Sequence, residues 1–479
     1  MQVFYSRTIV DPDIAAKLTG KTGKTSFGFL LASDKAPGNY SEDERNDPSL
    51  RPRIDEFLDR NATFGVLRVK RDVGKENNIG FFATYRSFPE QRNLLGGFDG
   101  RFKLDDKTVF QFQVVGTNSR RCFFNPEFEP ALNPLQTQRN REICGGSTYN
   151  GYRTGNGFAY FANYDYTAEN FGYTIEVGGR TQDYRADAGF TRRTNQNYIF
   201  GGMRLSTKSK PNNKIIRVNW FNNLSISYDW SGRSQGVEWG SSLNFQLKGN
   251  TYLNLNGGIS YERIFEEEFG LKRMPSRPES GAFFGDSERS TPQGWLGFNF
   301  EKQFNKKVYY GFFVGTIFNT FDFDFGAGER FPRVSPAALA GSDQLDPGAG
   351  QQYDFSTWVN WKPINPLRIS LEYNKNILIR KDTDKTAFDS NIATLRATYQ
   401  FTRFIFVRTR VDYDSISSNF NGQFLFGWNP SPGKAFYVGY NDDFNYGGFN
   451  PYTGNPEPGF ARNGRTFFIR MSYLFRKSF

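Results

Sequence analysis

The feature that most constrains the fold is an alternation of apolar and polar residues that recurs in long runs. Between 216 and 230 the even positions are mostly apolar or aromatic, the odd positions mostly polar. Successive side chains of a β-strand point to opposite faces, so this run predicts a two-faced strand of about fifteen residues. Similar runs cover 253–262, 367–380 and 405–414. Strands of soluble proteins average five or six residues, whereas a tilted strand that crosses a bilayer needs about 9–11. The lengths favour a membrane-spanning β-barrel.

The composition agrees with this fold class. Phe, Tyr and Trp make up 18% of the 479 residues, yet the mean hydropathy is −0.62. Aromatic rows on the lipid side and at the interfaces, with polar rows on the other face, account for both values. Stacking of sugars on surface aromatics is the less favoured interpretation. We expect residues 1–479 to form a single outer-membrane β-barrel domain without a separate plug domain, since a barrel uses hundreds of residues as one domain.

Connection lengths predict about 22 antiparallel strands (range about 18–26), with short periplasmic turns and long extracellular loops. The first strand is predicted within 2–10 and the last at 464–477, and an even number would place both ends on the periplasmic side. Ten short links are predicted near 21–24, 72–76, 105–107, 167–170, 208–213, 249–250, 305–306, 362–366, 402–403 and 429–434. Longer polar segments are predicted at 34–61, 119–154, 265–291, 323–350 and 446–463.

Several functions are excluded or disfavoured by composition. The chain has no His, so catalytic triads that need a His base and His-ligated zinc or iron sites are excluded. No apolar run is long enough for a transmembrane helix, and the first residues lack the pattern of a signal peptide. A signal segment would have been removed, or the natural start lies upstream. The formal charge of +11 is scattered, which argues against nucleic acid as a partner. We expect no enzymatic activity and no cofactor.

The C-terminal strand is the most specific local signal. Apolar residues alternate there up to a terminal Phe, which resembles the strand that the barrel-assembly machinery recognises in outer-membrane proteins. An ordinary closing strand of a soluble β-domain is the alternative. The predicted signal residues are Phe467, Ile469, Met471, Tyr473, Phe475 and Phe479.

The polar faces of the long strands are predicted to line the interior of the barrel. A field of mostly Arg side chains would favour anionic solutes. Ladders of Arg and carboxylate that only brace a wide barrel are the alternative, and we weight it somewhat higher because polar interiors are general in such barrels. The predicted lining residues are Arg217, Arg368, Glu372, Arg380, Arg408, Arg410, Asp412, Asp414 and Arg470.

Two further sites are weighed. Cys122 and Cys144 lie in one predicted outer loop and are expected to form a disulfide, since the outer membrane faces an oxidising compartment. A redox pair lacks the Cys-x-x-Cys spacing. The acidic segment 322–329 could in principle ligate calcium, but it lacks the EF-hand spacing, and we expect no metal site there.

Short motifs resemble a known family. The segments FYSR at 4–7, AKLTGKTGK at 16–24 and ADAGFTRRT at 186–194 resemble a Bacteroidota-type outer-membrane β-barrel domain of no agreed function. In that family the barrel usually follows a carbohydrate-binding family 9-like domain, which this sequence lacks. The resemblance implies a fold and a location, the cell outer membrane, rather than an activity.

The sequence thus predicts a non-enzymatic barrel that acts as a pore, a conduit or a transport-associated channel. A closed structural or anchoring barrel within a multiprotein envelope complex is the alternative. Expected partners are outer-membrane lipid and lipopolysaccharide, the barrel-assembly machinery during biogenesis, and possible envelope or surface proteins. A barrel of this width would leak, so we expect closure by inward-folded loops together with a partner.

Overall fold

The computed structural model describes residues 2–40, 45, 51–127, 138, 143–144, 150–279, 281–328, 330–449 and 456–473. Within these residues we find no helix with the length and apolar character needed to span a membrane. The two α-helices in this part are single turns, α1 (Arg51–Ile54) and α2 (Pro336–Leu339). The remaining regular structure consists of antiparallel β-strands and short 3-10 segments.

Twenty-one strands are present in the described part of the chain. The first nine are β1 (Pro12–Thr22), β2 (Thr25–Asp34), β3 (Ala62–Val73), β4 (Asn77–Phe88), β5 (Gln91–Lys103), β6 (Thr108–Phe124), β7 (Asn150–Thr167), β8 (Phe171–Arg180) and β9 (Gln196–Ser206). They are followed by β10 (Ile215–Tyr228), β11 (Ser234–Leu247), β12 (Thr251–Phe265), β13 (Glu288–Gln303), β14 (Val308–Asp322) and β15 (Gly348–Trp361). The last six are β16 (Leu367–Arg380), β17 (Thr386–Gln400), β18 (Ile405–Asp414), β19 (Asn419–Ser431), β20 (Lys434–Phe449) and β21 (Pro456–Tyr473).

The chain divides into two compact units. Unit 1 comprises residues 1–205, 222–239 and 263–282, and unit 2 comprises 206–221, 240–262 and 283–479. In unit 1, each strand from β1 to β9 pairs with the next strand along the chain. In unit 2, the strands from β13 to β21 follow the same rule. Strands joined by short links pair in this way because antiparallel neighbours need only a tight turn.

All ten predicted short links join consecutive strands. They alternate with the longer connections, which defines a short-turn end and a long-loop end in each unit. Four connections at the long-loop end are themselves short, namely 89–90, 229–233, 381–385 and 415–418. The prediction of a long polar segment at 446–463 is also wrong, because β20 continues to Phe449 and β21 begins at Pro456. The expectation of long loops holds for the connections that follow β2, β6, β8, β12 and β14.

The prediction of a first strand within 2–10 is wrong. A 3-10 segment, Ser6–Thr8, occupies this region, and β1 begins at Pro12. The amides of Val10 and Asp11 donate to the side-chain carboxylate of Asp34, the last residue of β2, at 3.0 and 2.7 Å, instead of to backbone carbonyls. Pro12 consequently lies at the long-loop end, whereas Tyr473 lies at the short-turn end. The placement of both ends on the periplasmic side stays a prediction.

The strands have two faces of opposite character. In β2 the side chains of Phe27, Phe29 and Leu31 are 38%, 41% and 45% exposed, whereas the alternate residue Ala32 is buried. Large exposed apolar side chains recur in this way along both units, for example at Leu371 in β16. Contiguous exposed apolar surface on this scale is typical of a surface that faces lipid or a partner.

Candidate functional site

In unit 1 the face opposite to these exposed side chains is covered by two segments. The first is the connection 181–195 between β8 and β9, and the second is the N-terminal segment 2–10. Tyr184 and Ala186 of the connection belong to one buried cluster with strand residues Phe82, Leu95, Val115 and Ala159. Ala188 belongs to a second cluster with Ala32, Ala62 and Phe64. The connection therefore lies on β2–β7 and does not project into solvent.

The N-terminal segment packs against the same connection. The amide of Tyr5 donates to the carbonyl of Ala188 at 2.8 Å, and the amide of Phe190 donates to the carbonyl of Gln2 at 3.0 Å. Val3 and Phe4 contact the two buried clusters. Two of the motifs that carry the family resemblance, 4–7 and 186–194, are thus in direct contact although they lie far apart in the sequence.

Two glycines make this close packing possible. A Cβ at Gly157 of β7 would lie 2.3 Å from the Cα of Tyr184, and a Cβ at Gly189 would lie 2.5 Å from the carbonyl oxygen of Gln2. Both contacts are with backbone atoms, so no side-chain rotation relieves them. Tyr184 is 1% exposed, and this burial raises the pKa of its hydroxyl to about 12.

Beside the connection lies a polar cavity of about 820 Å³. It is confined to unit 1, at the long-loop end, and it is lined by residues of four segments, 121–127, 182–195, 231–233 and 267–272. Each segment presents charged side chains, and most of these are paired. Arg193 donates to both carboxylate oxygens of Glu268 at 2.6 and 2.7 Å. The cavity is therefore shaped by loops that ion pairs hold in place.

Arg153, Arg185 and Phe123 form one edge of this cavity region. The guanidinium groups of Arg153 and Arg185 lie 4.5 and 5.2 Å from the ring centroid of Phe123. Arg153 is paired with Asp183 at 2.6 Å. Arg185 donates instead to the backbone carbonyls of Gln182 and Tyr184, at 2.9 and 2.7 Å. Burial, together with the nearby positive charges of Arg121 and Arg153, lowers the pKa of Arg185.

The predicted lining residues of β18 share one face of the strand. Arg408, Arg410, Asp412 and Asp414 alternate with the apolar row. Arg410 pairs with Asp412 at 2.6 Å, and the hydroxyl of Thr394 donates to the same carboxylate at 2.6 Å. The ion pair lies within β18, and the Thr394 contact links this row to β17. The choice between an anion-favouring lining and a bracing ladder stays a prediction.

The other predicted lining residues occupy different settings. Arg380 is 1% exposed and pairs with Asp322 at 2.8 Å and with Asp382 at 2.6 Å, at the long-loop end of unit 2. Glu372 lies 3.9 Å from Arg396. Arg217 lies on β10, Arg368 on β16 and Arg470 on β21. That all these residues line an interior stays a prediction.

The disulfide prediction is confirmed. Cys122 and Cys144 are bonded, with their Cα atoms 5.7 Å apart. Cys122 belongs to β6, which extends further than the sequence indicated. In the segment 322–329, Asp322 pairs with Arg380 and Asp324 pairs with Arg333 at 2.7 Å, while Glu329 lies outside the described residues. Among the described residues no group of three or more metal-ligating side chains is found.

The proposed C-terminal assembly signal is only partly described. Phe467, Ile469, Met471 and Tyr473 lie in β21 with exposed side chains. Phe475 and Phe479 lie outside the described residues. Recognition of this strand by the assembly machinery stays a prediction.

Comparison with solved structures identifies similar folds. The ferric enterobactin receptor PfeA of Pseudomonas aeruginosa, in a mutant form, is 11% identical over 97% of this chain and 78% of its own, with a TM-score of 0.55. The siderophore receptor PirA from Acinetobacter baumannii is 10% identical over 97% and 79%, with a TM-score of 0.54. The copper transporter OprC is 10% identical over 97% and 80%, with a TM-score of 0.56. The fold is accordingly that of an outer-membrane β-barrel.

No family model matches the sequence. No curated protein matches it either. The sequence did not predict the cavity or the role of the 181–195 connection. The available signal was the motif at 186–194, in which Asp187, Gly189 and Arg192 have separate structural roles: Asp187 pairs with Arg121 at 3.1 Å, Gly189 contacts the N-terminal segment, and Arg192 lines the cavity.

Proposed function

We propose that the chain is a non-enzymatic barrel of a bacterial outer membrane that takes part in the passage of a solute across that membrane. The observation that carries this proposal is the two-faced strand, with rows of exposed apolar side chains on one face and hydrogen-bonded polar side chains on the other. Such strands suit a lipid boundary around a polar interior. The similar structures are named as receptors and a transporter, which supports a role in transport.

In this proposal the 181–195 connection and the N-terminal segment restrict the passage. They cover the face of β2–β7 opposite to the exposed apolar rows, with buried apolar side chains and backbone hydrogen bonds. Arg408 and Arg410 belong to the lining and favour anions through their charge. Lipid, lipopolysaccharide and the assembly machinery are the proposed partners, and the motif resemblance favours a Bacteroidota-type origin.

The proposal is tested by conductance in planar bilayers. The purified wild-type protein should give ion currents with a preference for anions. The double variant Arg408→Glu with Arg410→Glu should reduce that preference, because it reverses two charges on one strand face and so changes the charge there by four units. Arg403→Glu, in the short link 401–404, is the matched control and should leave selectivity near the wild-type value. Unchanged selectivity in the double variant would show that these two residues do not line the conducting path.

A second candidate function is a closed anchoring barrel within an envelope complex. The dense packing over β2–β7 favours it, since buried clusters of this kind leave little free space along these strands. It predicts no current from the wild-type protein or from a variant that lacks residues 183–192. It also predicts co-purification of another envelope protein in mild detergent.

A further inference from the structure

In the cavity at the long-loop end of unit 1, the carboxylates are all paired with cations. Five carboxylates line it, and each has a cationic partner. Asp183 pairs with Arg153, Asp187 with Arg121, Glu267 with Arg233, and Glu268 with Arg193, all within 3.1 Å, while Glu127 lies 3.6 Å from Lys272. The negative charges of the lining are therefore already neutralised.

Two cationic side chains of the same lining have no carboxylate partner within the described part of the chain. Among the described residues, the guanidinium of Arg185 contacts backbone carbonyls and the ring of Phe123 and no carboxylate. Arg192 lines the cavity as an exposed side chain without any such contact. Arg185 lies near two ion pairs, Arg121 with Asp187 and Arg153 with Asp183, and the burial of its guanidinium lowers its pKa.

We propose that this cavity binds a small organic anion that carries two or more carboxylate or phosphate groups, with Arg185 and Arg192 as its charged contacts. A planar guanidinium donates paired hydrogen bonds to either kind of group. Gln182, Thr194 and Ser231 add neutral polar groups to the lining of the same cavity. A volume of about 820 Å³ falls within the usual range for small-molecule sites.

The proposal deepens the transport function, because the long-loop end then faces the exterior and the cavity meets solutes before they reach the covered strands. The binding step itself requires no current. Failure of binding and failure of transport can therefore be distinguished in separate measurements on the same protein.

Isothermal titration calorimetry of the full chain in detergent tests the proposal. Citrate probes polycarboxylates, fructose 1,6-bisphosphate probes phosphates, and sucrose is the neutral control. Saturable binding of at least one anion, weakening as salt is raised, is expected. Arg192→Gln and Arg185→Gln should each weaken that binding on the order of tenfold or more, since each removes a charge-assisted hydrogen-bonding group.

Arg403→Gln removes the same charge from the short-turn end of unit 2 and should bind as the wild type does. Arg192→Gln is the decisive variant if Arg185→Gln fails to fold, because the Arg192 side chain is exposed and has no hydrogen bond or ion pair within the described residues. Absence of saturable binding for both anions, or equal affinity in the wild type and in Arg192→Gln, would overturn the proposal. Conductance without binding would leave the transport function intact and remove only this site.

Discussion

Gly157→Ala should release the 181–195 connection from β7. The added methyl group would lie 2.3 Å from the Cα of Tyr184 and 2.6 Å from its amide nitrogen. Neither atom can move without the loop backbone, so the connection must shift by about an ångström or more, and overpacking of this kind costs about 1–3 kcal/mol. If that cost falls on docking of the connection, the undocked population rises roughly 5- to 150-fold.

Hydrogen exchange of individual backbone amides measures this population. The amides of Phe190 and Tyr5 are bonded across the contact between the connection and the N-terminal segment, so their exchange should accelerate by the same factor, whereas amides within β7 should keep wild-type rates. Gly116→Ala in β6 is the control, because its Cβ would meet open space. Equal exchange at Phe190 in the two variants would refute the packing argument.

Three further predictions concern stability. Replacing both Cys122 and Cys144 with Ser should lower the free energy of unfolding by about 3 kcal/mol in the chain-entropy model, as measured by thermal unfolding. Alkylation of both thiols in the wild type without reductant would contradict the disulfide. Arg380→Ala should lower the free energy of unfolding by about 3–5 kcal/mol, because Asp322 and Asp382 lose a buried partner. Denaturant unfolding measures this loss, with Arg403→Ala as the control, and equal unfolding midpoints for the two variants would contradict the prediction. Because the pKa of Tyr184 is raised to about 12, its buried neutral hydroxyl should contribute fully to the free energy of unfolding below about pH 10. This contribution should be lost as pH rises through about 12. The expected loss is about 2–3 kcal/mol. Unfolding measurements on Tyr184→Phe at the same pH values should show no such loss.

Local pattern determined most of what could be predicted from the sequence. The run at 216–230 corresponds to β10 (Ile215–Tyr228), and the short links were predicted correctly because period-two alternation and turn residues are local signals. The place of the N-terminal segment was not predicted. Its apolar residues Val3, Phe4 and Ile9 resemble a strand, but they pack against buried clusters that include Ala186 and Ala188, which the sequence distinguished only as part of a motif.

The candidate sites also combine features that local pattern predicts with features that depend on distant contacts. Alternation assigns a side chain to a face, as it does for Arg408 and Arg410, but it does not identify the partner across the sheet. Arg380 has the alternation of a lining residue and is nevertheless buried between the carboxylates of Asp322, at the end of β14, and Asp382, in the connection 381–385. Arg185 and Arg192 are distinguished only by which neighbouring carboxylates are already paired, and that depends on loops brought together by the fold.

The contact between the N-terminal segment and the 181–195 connection has a consequence for the order of folding. Thr8 donates to the carbonyl of Ala188 at 3.3 Å across 180 positions of sequence. Closing so large a loop is slow compared with forming hairpins between adjacent strands. We therefore expect the first ten residues to stay accessible to proteases and chaperones until eight strands have paired. Protection of this segment should therefore follow the pairing of β1–β8.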